Sequence, residues 1–568
     1  MFSKLVKFSC VALAMTASTF AALTHIKTSD FINDTNLVIS PADNAEGYYL
    51  KGSVVVAEGC TLTVLPGTHI YGSYQDEIEN TSILIIAPGA YFDAQGTWDS
   101  SIVFTTLRDN PKNHGDDVCL GAKGMWGGIV WCGKAPAVSA SDFYPEGIPE
   151  LLDGVYYGGY DEHYNGGIMK YVSVRHGGAS VSTGSETNGI SCYALGDSTR
   201  LSYCEVFANS DDGIEFFGGS VNTDHMAMLF NSDDQFDIDE GHVGKHQFWF
   251  ALEEEIDGDN LGEWDGNHNV TDTLCSNPTI YNYTFIGSSA DSLKPGANNG
   301  ILMRDRFKGR LCNGIISDVY NYAITRVSGD IGTDIVIQGL VTWDIGQAQD
   351  VYPAPDLSWY TPANKCFLST NNPEIRGIDR NQDFCLDPRL AAGSPCFLSA
   401  VQVNDETTYG LTDVNYVGAF NATDLWIDKW TAAYELHCLA TGVGPHSVKL
   451  SCNFGPVSMY AASGVQMPME FHIKTSDGSP APMVNIADPR CHIYIDGVEM
   501  LPNFTSAVQF GAGTAHRYFR LVLNTGSEIS PFSGGKRAAP LIGPHIIRMV
   551  WPCDDGKVYR EHSVIQLY

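Results

Sequence analysis

Apolar and polar residues alternate in short runs along most of this chain. From about Gly52 to Gly418, stretches such as Leu62-Thr63-Val64, Ser82-Ile83-Leu84-Ile85-Ile86, Ile102-Val103-Phe104, Gly128-Ile129-Val130-Trp131 and Tyr171-Val172-Ser173-Val174 are separated by Gly, Asn and Asp. Long amphipathic helical patterns are scarce. The pattern predicts short strands joined by turns, as in a sandwich, barrel, propeller or β-helix.

An internal repeat separates these architectures. Asn209-Ser210-Asp211-Asp212 recurs as Asn231-Ser232-Asp233-Asp234, 22 positions later. Upstream, Cys204 and Val206 align with Met226 and Met228. Downstream, Ile214 and Phe216 align with Phe236 and Ile238, alternating with Glu215 and Asp237. A repeat of this length, with matching period-2 faces, predicts a solenoid and most simply a parallel β-helix. The last ~125 residues differ: Glu470-Phe471-His472-Ile473, His492-Ile493-Tyr494-Ile495, Arg517 to Val522, His545 to Trp551 and Ser563 to Tyr568 read as strands of an antiparallel β-sandwich of roughly 100 residues. Trp426 to Cys438 reads as a short helix or cap. The expected fold is therefore all-β, with a signal peptide over 1–21, a capped β-helix over 22–440 and an Ig-like sandwich over 441–568.

Charge narrows the partners. The 568 residues include 33 Lys+Arg against 66 Asp+Glu, a net charge of −33. Such a chain repels nucleic acid and anionic membrane surfaces, and it accepts an acidic polymer only with cations between them. Lys4 and Lys7 followed by the apolar stretch Phe8 to Met15, with Thr19 and Ala21 at a cleavage site, read as a secretory leader. No later apolar run is long enough to span a bilayer. Without Cys10, the 15 cysteines become 14, an even number that suits disulfides in an oxidising compartment. Sequence neighbours are Cys119 with Cys132, Cys275 with Cys312, Cys366 with Cys385 or Cys396, and Cys491 with Cys553; Cys204 is a candidate free core thiol. The sequons at Asn33, Asn80, Asn269, Asn282, Asn421 and Asn503 are candidate glycan acceptors in a eukaryotic secretory pathway.

Several pieces occur in a set order: Gly124-Met125-Trp126-Gly127-Gly128-Ile129, Tyr157-Gly158-Gly159, Arg175-His176-Gly177-Gly178, Asp211 to Gly219, Val221-Asn222, Asp233 to Asp237, and Tyr416 to Phe420. Together, over about residues 50–435, they resemble secreted bacterial surface proteins built on a right-handed parallel β-helix. Pro468-Met469-Glu470-Phe471 and the strands after it resemble the PxKF-type Ig-like domain, with Glu in place of Lys. The resemblance implies fold and extracellular location rather than a catalytic mechanism.

Chemistry concentrates at the repeat. Residues one coil apart lie ~4.8 Å apart, so the repeat should stack Asp211 under Asp233, Asp212 under Asp234 and Glu215 under Asp237, with Asp239 and Glu240 nearby. One like-charged pair at ~5 Å costs about 3 kcal/mol at an effective dielectric of ~20. The expectation is a hard divalent cation, Ca²⁺ in an extracellular setting, held by these eight carboxylates. The alternative is turn chemistry, in which Asp211 and Asp233 serve backbone groups at coil corners. The run Glu253-Glu254-Glu255 with Asp257 and Asp259 reads as a solvated loop. Phe217, His242, Lys245 and Arg304 are the candidate glycan contacts, and Trp249, Trp264 and Trp343 are further aromatics on nearby segments.

Parallel β-helices also carry polysaccharide lyases and hydrolases. Asn222-Thr223-Asp224, Asp233-Asp234 and Gly241-His242-Val243-Gly244 loosely resemble polygalacturonase motifs, but the first two sit too close in sequence and Val243 breaks the third. No serine-hydrolase elbow, phosphate loop or HExxH zinc motif occurs. The reading is a surface or matrix protein that binds Ca²⁺ and an anionic polysaccharide, with a Ca²⁺-dependent lyase or glycoside hydrolase as the competing class.

Overall fold

The computed structural model describes residues 23–74, 81–109, 122–138, 143–148, 152–180, 187–254, 257–267, 274–288, 299–327, 334–346, 359–366, 372–378, 380, 386–436, 438–440, 448–454, 466–475, 480–486, 491–495, 498–499, 504–510, 513–514, 516–524, 543–553 and 558–567. The proposed leader, Cys119, Cys385, Glu255 and the sequons at Asn80, Asn269 and Asn503 lie outside these residues. The chain forms two compact units, one of residues 1–375 with 388–436, the other of 376–387 with 437–568.

The first unit is a parallel β-helix. Its long strands Gly167–Arg175, Arg200–Phe207, Asn222–Leu229, Lys245–Leu252 and Thr279–Ile286 pair in parallel from coil to coil. Each turns a corner midway, at Tyr171, Tyr203, His225, Phe248 and Asn282, where φ lies between 49° and 60°. Left-handed backbone is costly for bulky side chains, and the rings offset this by stacking: Tyr171 on Tyr203 at 4.6 Å, Tyr203 on His225 at 4.2 Å, His225 on Phe248 at 4.5 Å. Trp426 and Trp430 set their edges against this column. The helix Ala432–Glu435 follows, its first amides donating to the buried Glu205 carboxylate.

The remaining face is a nine-stranded sheet that holds, in chain order, Ser53–Val56, Ile83–Ile86, Ile129–Cys132, Ile190–Tyr193, Ile214–Phe217, Phe236–Asp239, Asn260–Asp265, Asn299–Arg304 and Ile324–Arg326. The 22-residue repeat is one coil: Cys204 pairs with Met226, Val206 with Met228, Ile214 with Phe236 and Phe216 with Ile238. These side chains fill the interior, where Phe236 stacks on Trp249 at 4.2 Å. The repeated asparagine also works inside, because Asn231 Oδ1 accepts the Asn209 amide of the coil before it.

The second unit is an antiparallel sandwich of two four-stranded sheets. One contains Val448–Phe454, Gln466–Thr475, Phe504–Phe510 and His516–Asn524; the other contains His492–Ile495, Val498–Glu499, Gly543–Pro552 and Val558–Leu567. Phe471 and Trp551, one from each sheet, meet edge to face at 5.2 Å in its core.

Three expected disulfides are corrected. Cys132, Cys275, Cys312, Cys366 and Cys396 are free thiols, and Cys132 is buried with Val130 and Tyr193. Cys275 Sγ faces the Arg306 carbonyl, whereas Cys312 packs with Tyr281 and Val403. Cys366 belongs to the main interior and Cys396 to a separate cluster with Leu390 and Val417. Cys204 is a buried free thiol, as expected.

Candidate functional site

The outward positions of the nine-stranded sheet form columns. One column carries Ser191, Glu215, Asp237 and Glu263 in register, followed by Leu302. Three groups of carboxylates gather along it, each with one oxygen per residue within 4.8 Å of the others: Asp212 with Glu215 and Asp237, Asp211 with Asp212 and Asp233, and Asp233 with Asp234 and Asp259.

The turn before each strand positions the central members. Asp212 Oδ1 accepts the backbone N–H of Asp234, one coil on, at 3.0 Å. Asp234 Oδ1 in turn accepts the N–H of Asn260 at 2.7 Å and its side-chain amide at 2.9 Å. Between them Gly213 is tightly enclosed: an added Cβ would lie 2.6 Å from the Gln235 carbonyl. Asp212 and Asp234 thus perform backbone service of the kind expected of Asp211 and Asp233, and they belong to the carboxylate groups as well.

Glu215 is buried and accepts Asn188 Nδ2 at 2.6 Å. Asp237 retains some exposure, but its Oδ1 is buried and has no hydrogen-bond partner among the described residues. Burial, followed by the neighbouring carboxylates, pushes Asp212, Glu215, Asp234 and Asp237 well above the usual carboxylate range. Burial also lifts Glu263, to about 7, against the opposing charge of Arg304. Arg304 Nε and Nη2 hold Asp265 at 2.9 Å each, and Nη2 also contacts Glu263.

The donors are all oxygens, and one of them is buried without a partner. That set fits a hard divalent cation better than zinc or copper, which favour nitrogen and sulfur. Asp212, Glu215 and Asp237 would hold it.

The other expected residues distribute differently. Asp239 lies two positions beyond Asp237, and Glu240 sits at a left-handed corner, where Tyr157 OH donates to its carboxylate at 2.8 Å. Neither belongs to the three groups. Phe217 points outward but is 5% exposed, stacked on Tyr193 at 4.0 Å beneath Val155 and Tyr157, so no sugar reaches its face. His242 is fully buried: Nδ1 meets the Gly218 carbonyl and Nε2 lies 2.9 Å from His246 Nε2. Lys245 is exposed but opens a strand of the other sheet. Of the four proposed glycan contacts, Arg304 alone lies beside the carboxylates. Trp249 and Trp264 are interior.

Asn222 and Asp224 occupy that other sheet, away from the Asp233-Asp234 turn, so the polygalacturonase-like pieces do not converge. Asn282 is fully buried with its amide donating to the Tyr416 carbonyl, which removes it as a glycan acceptor. Asn33 is exposed, and Asn421 is half-buried in a turn where its Oδ1 accepts the Thr423 and Asp424 amides. The acidic run is corrected too. Glu253 is fully buried, Asp257 accepts Lys123 Nζ and Ser232 Oγ at 2.7 Å, and Asp259 joins a carboxylate group. Sequence reasoning missed Glu263, Asp265 and Asn188.

A family model described as a pectate-lyase-like β-helix domain matches residues 33–352, more than half of the chain. Among solved structures, the Dettilon tailspike protein is 10% identical over 86% of each chain, with a TM-score of 0.25. A tailspike from Acinetobacter baumannii bacteriophage Fri1, described as a capsular polysaccharide depolymerase, is 12% identical over 90% of this chain and 73% of its own, also with a TM-score of 0.25. No curated protein matches.

Proposed function

The chain belongs to the pectate-lyase-like β-helix family, and from that premise we propose that it is an extracellular protein whose carboxylate stack binds Ca²⁺ and, through it, an anionic polysaccharide. The observation that carries this reading is the meeting of Asp212, Glu215 and Asp237 within 4.8 Å, with Asp237 Oδ1 buried and without a hydrogen-bond partner among the described residues. Three carboxylates cannot all ionise there unaided, and a divalent cation relieves that repulsion. Its unfilled coordination positions accept uronate or other acidic groups of a polymer that a surface of charge −33 would otherwise repel. A leader over 1–21, glycans on Asn33 and Asn421, and a PxKF-type Ig-like identity for the sandwich belong to the same proposal. A stiff solenoid with long faces suits adhesion or assembly in a matrix.

The chain's own groups favour binding over elimination chemistry. Arg304 lies beside the stack, and its hydrogen bonds to Asp265, with the nearby acids, hold it firmly protonated, so it does not act as a base. A second reading, a glycoside hydrolase, rests on the same separation, since a retaining pair of carboxylates lies about 5 Å apart. The test is affinity electrophoresis through polygalacturonate, with Ca²⁺ or with chelator, and with assay of the eluted polymer. Ca²⁺-dependent retardation lost in Glu215→Gln/Asp237→Gln, with the polymer intact, supports the binding reading. New unsaturated or reducing ends, lost in that variant, support the enzyme. Retardation indifferent to Ca²⁺ and to the variant contradicts the proposal.

A further inference from the structure

We propose a separate subsite, a pocket that takes an uncharged sugar residue, formed by the segment that roofs the nine-stranded sheet beside the carboxylates. A cavity of about 570 Å³ opens there, lined by Phe143, Tyr144, Tyr156, Tyr157, Tyr160 and Asp153 among others. The inference rests on the reading above only in taking a polysaccharide as ligand.

Exposure is the first observation. Phe143, Tyr144 and Tyr156 are 41–46% exposed and Tyr160 is 99% exposed, in a chain that buries most of its large rings. Clustered exposed aromatics mark a binding surface, and their faces stack on the apolar C–H face of a sugar while tyrosine hydroxyls meet its polar edge. The volume falls within the usual range of small-ligand pockets.

Preorganisation is the second. Phe143 has φ 56°, a left-handed conformation at a place that is not a coil corner. It is held by the Tyr157 amide donating to its carbonyl at 2.9 Å. Gly158, at φ +88°, lets the ring lie close: an added Cβ would be 2.8 Å from Phe143 Cδ1. Tyr157 is fixed in turn, with its hydroxyl on Glu240 at 2.8 Å and its ring 4.8 Å from Tyr193. Strain kept in place by surrounding contacts is typical of ligand clamps.

Charge selects the ligand. The lining carries Asp153 and no Lys or Arg among the described residues, Glu240 lies directly behind Tyr157, and the nearby Lys134 is neutralised by Glu58 at 2.7 Å. An acidic sugar is repelled, whereas a neutral one gains an acceptor for its hydroxyls. Acid-binding and neutral-binding sites together describe a heteropolysaccharide ligand.

The test is affinity electrophoresis in chelator through xyloglucan, galactomannan or mixed-linkage β-glucan, which are uncharged polymers. Wild type is expected to be retarded by at least one. Tyr156→Ala/Tyr160→Ala should weaken that retardation at least tenfold with an unchanged melting temperature, and Tyr156→Phe/Tyr160→Phe should largely retain it. Glu215→Gln/Asp237→Gln should be retarded like wild type. No retardation by any of the three, or equal retardation of the alanine variant, overturns the pocket and leaves the Ca²⁺-dependent reading standing. Loss of Ca²⁺-dependent polygalacturonate binding alone removes that reading and leaves the pocket.

Discussion

Two halves of one sheet carry opposite chemistry at the same structural position. In the first half, the outward column reads Val55, Ile85 and Val130, covered by Ile148, Val155 and Tyr157. After Ser191 it reads Glu215, Asp237 and Glu263. Backbone pairing is parallel and continuous throughout, so hydrogen bonding does not require acids in the second half. The apolar half shows how the coil closes when stability alone is served. The acidic half holds buried carboxylates near one another, an arrangement that costs free energy when they are charged. Closing the coil therefore does not account for these acids, which are the ones we propose to hold a cation.

The contrast can be broken from either side. The largest effect is expected from placing an acid in the covered half: Ile85→Asp should cost about 4 kcal/mol or more, because the charge finds no partner. Removing a charge from the acidic half by Glu215→Gln, which keeps an acceptor for Asn188 Nδ2, should leave the chelated protein as stable or more so, read from urea midpoints. Ca²⁺ at a hundred times its Kd should stabilise wild type by about 2.7 kcal/mol, seen as a rise in melting temperature that Glu215→Gln/Asp237→Gln lacks. Asp212→Ala, which strands the Asp234 amide, should cost about 2 kcal/mol, while Asp212→Asn keeps the acceptor and costs less.

A further effect concerns pH. The raised carboxylates bind protons more tightly folded than unfolded, so in chelator their contribution to stability is fully present below about pH 4 and falls as pH rises, through about 7 for Glu263. The Gln double variant should show a flatter profile. The smallest is a null mass shift: peptides from a eukaryotic host should carry no glycan at Asn282.

Much of this was legible in the sequence. The repeated Asn-Ser-Asp-Asp and its flanking alternation gave the coil length and the facing of Glu215 on Asp237. Continuous apolar runs such as Ile83 to Ile86 belong to strands buried on both faces, and alternating runs such as Phe236 to Asp239 to strands open on one. What escaped did so for geometric reasons. The next coil is longer, with Asp237 and Glu263 26 positions apart, so an insertion hid the continuation of the column. Phe217 does point outward, as alternation requires, but a roof from residues some sixty positions earlier covers it. His242 falls in a turn, where alternation says nothing, and folds inward onto His246. The even cysteine count suggested bridges, yet coil geometry directs Cys366 and Cys396 into separate clusters.

The most direct measurement is the metal content of purified protein after equilibration with CaCl₂ at pH 7.5, compared with Glu215→Gln/Asp237→Gln. At least one Ca²⁺ per wild-type chain is expected, with at least one fewer in the variant. Equal content in the two proteins would contradict the carboxylate stack as a cation site.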